Sequence, residues 1–102
     1  MNKSWNVLSW NIRGINSDAK TLALRNATDT SGCSMLCIRE TKRESFVLAF
    51  IKTFFPKRFD KFVFAPSVGA SGGLIIIWNS SVFVGTPWFV DSFAVGVSFV
   101  AT

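Results

Sequence analysis

Two polar residues, Asn11 and Glu40, each end a short apolar run, and their side chains can bind metal ions or phosphate groups. A hard cation such as Mg²⁺ is held by oxygen ligands, often only one or two protein carboxylates, and keeps water or phosphate oxygens in its other positions. One Glu at the end of a strand is therefore chemically sufficient. Asn11 could orient a metal-bound water or contact a phosphate without adding charge. The alternative is that Glu40 is an ordinary solvated loop residue.

Basic residues follow both of these positions and could attract a polyanion. Arg13 lies two residues after Asn11, and Lys42 and Arg43 lie just after Glu40. The net charge is +5, and all eleven Lys and Arg fall between Lys3 and Lys61, together with five of the six acidic residues. Such a basic half suits a nucleic-acid partner, because phosphate contacts are largely electrostatic. Taken alone, the charge favours the alternative, a solvated basic surface.

The elements around these residues predict how they are positioned. We expect a strand over 7–11, a helix over 18–30 and a second strand over 34–40, since apolar runs flank a capped, amphipathic segment. A strand, helix and strand in this order form a right-handed unit with parallel strands. Parallel strands end at the same edge of a sheet, where α/β proteins usually bind ligands. Asn11 and Glu40 should therefore lie near one another.

The rest of the chain predicts one more helix and several strands. Apolar residues at helical spacing, from Val47 to Phe55, indicate a helix over 44–55 that packs into the core. Strands are expected at 62–65, 74–78, 82–90 and 93–100, with the glycine-rich residues 67–73 as a loop. We expect one α/β (α+β) domain over residues 1–102, since the chain is short and 49% hydrophobic.

Several classes of site and location are disfavoured. The chain has no His to complete a zinc site with Cys33 and Cys37, or to activate Ser71 as a nucleophile. The segment GASGG lacks the Lys and Ser or Thr of a phosphate-binding P-loop. We expect no signal peptide, no membrane span and no secretion, because no apolar run is long and unbroken enough. The predicted location is intracellular, nuclear or cytoplasmic.

Three motifs in order resemble a known family. They are LSWNIRG at 8–14, MLCIRETK at 35–42 and SGGLIIIWNS at 71–80. Together they resemble the start of the endonuclease/exonuclease/phosphatase superfamily, and are most similar to the endonuclease domain of plant LINE-type (non-LTR) retrotransposons. The likeness covers about residues 7–93. It implies a partial two-sheet sandwich flanked by helices, in a protein that cuts DNA with Mg²⁺ or, alternatively, Mn²⁺.

The resemblance also implies roles for single residues. Asn11 corresponds to the catalytic Asn that positions phosphate and metal, and Glu40 corresponds to the metal ligand. Arg13, Lys42 and Arg43 are the expected contacts to nucleic acid. Arg39 stands where the family usually has Gln, so a cation is added beside the metal ligand.

The motifs that complete hydrolysis in the family, Asp-x-Asn and a later Asp-His pair, do not occur in these 102 residues. The chain is therefore expected to be an N-terminal fragment that is inactive or nearly so alone. Two alternatives stay open: a noncatalytic, basic nucleic-acid-binding module, and a nonfunctional remnant of a mobile element. The remnant would be poorly soluble, because half of a sandwich leaves an apolar face uncovered.

Overall fold

A computed structural model describes residues 7–15, 18–69, 71–91 and 94–102 of the chain. The elements are β1 (Val7–Asn11), α1 (Asp18–Ser31), β2 (Met35–Arg39), α2 (Leu48–Phe54), β3 (Lys61–Val68), β4 (Ser71–Trp78), β5 (Phe83–Val90) and β6 (Val95–Ala101). The expected mixed α/β chain with two sheets and flanking helices is confirmed. Phe93, where the last strand was expected to begin, lies outside the described residues.

Four strands form one sheet in the order β1-β2-β4-β3. β1 and β2 are parallel, as expected for a strand, helix and strand unit, whereas β4 is antiparallel to both β2 and β3. β5 and β6 form a separate antiparallel pair. β2 therefore has a hydrogen-bonded strand on each side.

Both helices cover one face of the four-stranded sheet. Alternate residues of the strands, such as Leu36, Ile38, Ile75 and Ile77, are fully buried there, because successive side chains of a strand point to opposite faces. The core cluster on this face consists of Ile12, Ile15, Leu24, Cys33, Leu36, Ile38, Phe46, Ile51, Phe55, Phe59, Ile75 and Ile77. Leu24 comes from α1 and Ile51 from α2, so each helix contributes to this core.

The second sheet packs against the opposite face at one end. Trp78 follows Ile77 and points away from the helices, and its ring lies 5.1 Å from the ring of Phe99 in β6. Gly85 in β5 makes this approach possible, because a Cβ there would lie 2.6 Å from Cζ2 of Trp78. The two sheets of the sandwich are thus in contact at Trp78.

α2 is shorter than the sequence predicts, since it begins at Leu48 rather than near residue 44. The preceding segment continues along the sheet instead: the Arg43 carbonyl accepts a hydrogen bond from the backbone N–H of Ser67. Phe46 is buried against Phe64, with ring centroids 5.4 Å apart. Val47, expected in the core, precedes the helix and is 59% exposed. Packing of Phe46 and pairing of Arg43 therefore outweigh helix formation there.

β3 and β4 extend through most of the segment expected to be a loop. Ser67 pairs with Gly72 and Val68 with Ser71, so strand pairing extends as far as these residues. Gly69 has a φ of 62°, which glycine adopts without the penalty of a side chain. The glycines thus allow a tight turn, as expected, but most of the segment is strand.

Two polar side chains join elements away from this turn. Arg58 donates hydrogen bonds to the carbonyls of Thr28 and Cys33, both at 3.0 Å, and so satisfies acceptors at the end of α1. Asp60 accepts hydrogen bonds from the backbone N–H and the hydroxyl of Ser80. Partial burial opposes ionisation of Asp60, but these hydrogen bonds hold the pKa of its carboxyl below the ordinary value.

Candidate functional site

The parallel register of β1 and β2 brings Asn11 and Glu40 to the same edge of the sheet. Asn11 is opposite Arg39, the last residue of β2, and Glu40 follows directly. β1 starts at Val7 opposite Met35, so the two strands are equal in length and end together. A short apolar strand before each polar residue is what places them at this edge.

Hydrogen bonds fix the loops beyond both strands. The N–H groups of Ile12, Gly14 and Ile15 donate to the carbonyls of Arg39, Glu40 and Thr41 at 3.0, 2.7 and 3.0 Å. The loop that carries Glu40 is therefore tied to the loop after β1 on one side.

The same loop is tied to β4 on its other side. The N–H groups of Thr41 and Lys42 donate to the carbonyls of Gly73 and Gly72, at 3.1 and 2.9 Å. Gly73 is required here, because a Cβ would lie only 3.3 Å from the backbone nitrogens of Lys42 and Ser67 and would collide with the Thr41 hydroxyl. Backbone bonds thus hold the Glu40 loop from both neighbouring strands.

Left-handed backbone conformations concentrate at this edge. Within the described residues, three that are not glycine have a positive φ: Arg13 at 54°, Glu40 at 56° and Lys42 at 54°. Each such residue costs about 1–2 kcal/mol relative to the right-handed conformation. Strain of this kind is often found at functional sites, where the surrounding structure enforces it.

The oxygen atoms at this edge are of the type that binds hard cations. Asn11 Oδ1 is buried and has no hydrogen-bond partner among the described residues. The Glu40 carboxylate is exposed and makes no ion pair with them. In the part of the chain that the structure describes, no three His, Cys, Asp or Glu side chains are grouped to hold a metal. An amide and one carboxylate match Mg²⁺ or Mn²⁺ only if water or phosphate completes the coordination.

A lysine that the sequence motifs did not indicate lies next to two of the expected nucleic-acid contacts. Arg13 and Lys42 are exposed beside Glu40. The Lys20 ammonium, in the first turn of α1, donates to the Arg13 carbonyl at 2.6 Å. A Cβ at Gly14 would lie 3.9 Å from Lys20 Nζ and 3.6 Å from Lys42 Cδ, so both side chains lie against this glycine. The only signal for Lys20 in the sequence is its position early in the helix after the first motif.

Arg43 has a different environment from Arg13 and Lys42. Its guanidinium carbon lies 3.6 Å from the ring centroid of Phe50 and 5.4 Å from that of Phe46. Its Nε donates to the Ser45 carbonyl at 2.7 Å. The charge is therefore engaged with aromatic rings on the helix side, and a contact between Arg43 and nucleic acid stays a prediction.

The two cysteines are free thiols on opposite faces of the sheet. Cys33 is fully buried in the core beneath the helices. Cys37 lies in β2 between Leu36 and Ile38, so it points away from that core, and burial raises the pKa of its thiol. A raised pKa disfavours the reactive thiolate, which fits a structural rather than a catalytic role for Cys37.

No helix within the described ranges is both long and apolar enough to cross a membrane. No protein-family model matches the sequence, and no curated protein matches it. Among solved structures, the crystal structure of the Xenopus laevis APE2 catalytic domain aligns with a TM-score of 0.48 and 22% sequence identity. The alignment covers 79% of this chain and 24% of that one, so the chain spans about a quarter of the length of that structure.

Proposed function

We propose that this chain is the N-terminal part of a divalent-metal-dependent DNA endonuclease of the LINE retrotransposon type, and that alone it binds nucleic acid without efficient cleavage. It acts inside the cell, where nuclear or cytoplasmic nucleic acid is its partner. The support comes from the three sequence motifs and from the geometry of the sheet edge at Asn11 and Glu40.

The observation that carries the proposal is the meeting of an unpartnered amide oxygen, a free carboxylate and exposed cations at one edge. Asn11 Oδ1 is buried without a partner in the described part of the chain, although such an atom normally has one. Glu40 follows Arg39, the strand partner of Asn11, and has a left-handed backbone conformation. A solvated loop glutamate needs neither the strain nor the backbone bonds on both sides.

Each residue at this edge has a proposed role that follows from the chemistry of its side chain. Glu40 and Asn11 Oδ1 would hold Mg²⁺ or Mn²⁺, which when bound polarises a phosphodiester and stabilises its developing negative charge. Arg13, Lys20 and Lys42 attract the phosphate backbone. Asn11 also offers an amide N–H to a phosphate oxygen.

Hydrolysis needs proton transfer in addition to metal and phosphate binding. These 102 residues contain no His, and Asp91 is followed by Ser and Phe rather than by an Asp-x-Asn pattern. General acid–base assistance contributes about 10²- to 10⁴-fold to such reactions. The chain alone therefore lacks a large part of the rate enhancement.

The test is a nicking assay on supercoiled DNA with Mg²⁺ or Mn²⁺, together with DNA binding measured over a range of salt. We expect no nicking above background and an affinity that falls steeply as salt rises. If the chain nicked DNA, and if Glu40→Ala abolished this activity while Glu44→Ala preserved it, the expectation that the chain is inactive would be wrong. Glu44 is the matched control because it is an exposed glutamate four residues further on. Absence of salt-sensitive binding would overturn the proposal as a whole.

The cations favour a second function, a nucleic-acid-binding module that uses no metal. The side chains of Arg13 and Lys42 are exposed and form no ion pair with a described residue. This function predicts DNA binding that is unchanged by a chelator and by Glu40→Ala. The endonuclease fragment instead predicts that Mn²⁺ changes binding, and that Glu40→Ala removes this change.

Exposed apolar side chains on the second sheet bear on the remaining alternative, a remnant without function. Val84 and Val100 are paired and exposed, and Trp88 is 69% exposed. A remnant should aggregate through this surface. A sharp, reversible melt of a monomeric chain would contradict the remnant hypothesis.

A further inference from the structure

Arg39 is a charged residue at the sheet edge whose role the endonuclease proposal leaves open. It is the last residue of β2, and its backbone carbonyl accepts a hydrogen bond from Ile12 at 3.0 Å. Its side chain is exposed and forms neither a hydrogen bond nor an ion pair with any residue that the structure describes. The guanidinium therefore has five N–H donors without an acceptor among the described residues.

The sheet register determines what lies beside Arg39. Asn11 is its partner on β1 and Leu74 is its partner on β4, so the three side chains share one face. Leu74 is apolar, and the residue beyond it in the same row, Ala65, is also apolar. The polar neighbour of Arg39 in this row is thus Asn11. Neighbouring strands are about 4.8 Å apart, which brings the two side chains within reach of one ligand.

The two side chains together match a phosphate group. A guanidinium donates two parallel hydrogen bonds to a phosphate, and an Asn amide can add a third through its N–H. The same guanidinium repels a divalent cation at Asn11 and Glu40. A unit charge about 7 Å from a divalent ion in a medium close to water lowers the affinity for that ion about sevenfold.

We propose that Arg39 and Asn11 form a phosphate-binding pair that holds the backbone of nucleic acid without a divalent cation, and that Arg39 lowers the affinity of the edge for that cation. The inference rests on the proposed function, because it assigns a ligand to the same edge. It adds that the edge selects phosphate over metal. It also makes metal binding conditional, since a bound phosphate neutralises Arg39 and thereby favours the cation.

The experiment compares Arg39→Gln with Arg25→Gln. Arg25 is an exposed arginine of α1, so its substitution removes the same charge away from the edge. DNA binding is measured with a short single-stranded oligonucleotide in buffer containing a chelator. Binding of Mn²⁺ alone is measured by calorimetry and by electron paramagnetic resonance.

For Arg39→Gln we expect metal-free DNA affinity to fall about tenfold, the effect of one lost bidentate contact. Mn²⁺ affinity should rise about sevenfold. Arg25→Gln should change both by less than about twofold, since Arg25 is an exposed residue of α1 outside the row that contains Asn11, and an exposed charge is screened by salt. Arg39→Lys keeps the charge but not the planar fork, so it should leave Mn²⁺ affinity unchanged and recover only part of the DNA affinity. Thermal melts of all variants show whether they are folded.

Equal effects of Arg39→Gln and Arg25→Gln on DNA binding would overturn the phosphate pair while leaving the proposed function intact. An unchanged Mn²⁺ affinity in Arg39→Gln would overturn the claim that Arg39 selects against metal. If the wild-type chain bound no DNA at low salt, both this inference and the proposed function would be wrong. The outcomes therefore separate the failure of the pair from the failure of the function.

Discussion

Replacing Gly73 with Ala should disrupt the loop that carries Glu40, and the neighbouring glycine provides a matched control. Gly73 has a φ of 87°, and a Cβ there would lie 3.3 Å from the nitrogens of Lys42 and Ser67 and would collide with the Thr41 hydroxyl. Gly72 has a φ of 76°, and a Cβ there would meet nothing within 4 Å. The two substitutions thus impose similar backbone strain but differ in crowding.

The expected magnitudes follow from this difference. A side chain in the left-handed region costs about 1–2 kcal/mol, which applies to both variants. Crowding in a packed region adds about 1–3 kcal/mol, which applies to Gly73→Ala alone. Gly73→Ala should therefore lose about 2–5 kcal/mol of stability. Since the free energy of unfolding of a domain is about 5–15 kcal/mol, this variant is strongly destabilised.

Urea denaturation followed by tryptophan fluorescence measures these losses, because Trp78 is buried in the sandwich. Thr41→Ala in the Gly73→Ala background should restore about 1 kcal/mol, since it removes the colliding hydroxyl. If Gly72→Ala and Gly73→Ala lost equal amounts of stability, crowding at Gly73 would not explain the loss. No coupling between Gly73→Ala and Thr41→Ala would refute the assignment of the collision to Thr41.

Three other predictions concern side chains outside this loop. Arg58→Met should lower stability by about 1–3 kcal/mol in urea denaturation, because two carbonyls at the end of α1 lose a charged donor. The pKa of Asp60 is lower in the folded state than in the unfolded state, so ionised Asp60 contributes to the stability of the fold. This contribution is present above the unfolded pKa of about 3.9 and is lost as pH falls through the folded value. Acid titration of thermal melts should show that Asp60→Asn or Ser80→Ala weakens this pH dependence, and an unchanged profile would contradict it. Lys20→Gln should reduce the salt slope of DNA binding by about one unit while Lys52→Gln leaves it unchanged, and equal slopes would remove Lys20 from the interface.

The first half of the fold could be predicted from the sequence because local signals agree with tertiary structure there. β1 has the expected bounds, and α1 ends one residue beyond the expected end. The parallel pairing of β1 and β2 followed from the order of elements alone, since a helix between two strands leaves little other choice. That pairing brings Asn11 and Glu40 to one edge.

Tertiary contacts determine the features of the fold that the sequence did not predict. The start of α2 depends on the burial of Phe46 and on a backbone bond between Arg43 and Ser67, neither of which has a local signal. The glycines at 72 and 73 favoured a loop, yet they begin a strand, because they pair with β3 and with the loop after β2.

The site shows the same division between local and tertiary information. Asn11, Glu40, Arg13 and Lys42 could be selected by residue type and motif, but their backbone conformations could not, since nonglycine residues seldom have a positive φ. Lys20 was missed because its contact joins the first turn of α1 to Arg13, seven residues earlier in the sequence. The aromatic contacts of Arg43 arise only after α2 has packed.

The backbone bonds on both sides of the Glu40 loop determine how the site moves. The amide protons of Gly14, Thr41 and Lys42 are all donors in these bonds, and breaking them detaches β2 from its neighbours. Because β2 lies inside the sheet, exposing these protons requires opening the central part of the fold. Their hydrogen exchange should therefore be among the slowest in the chain. A site of this kind has its binding conformation before the ligand arrives, so little of the binding free energy is needed to order it.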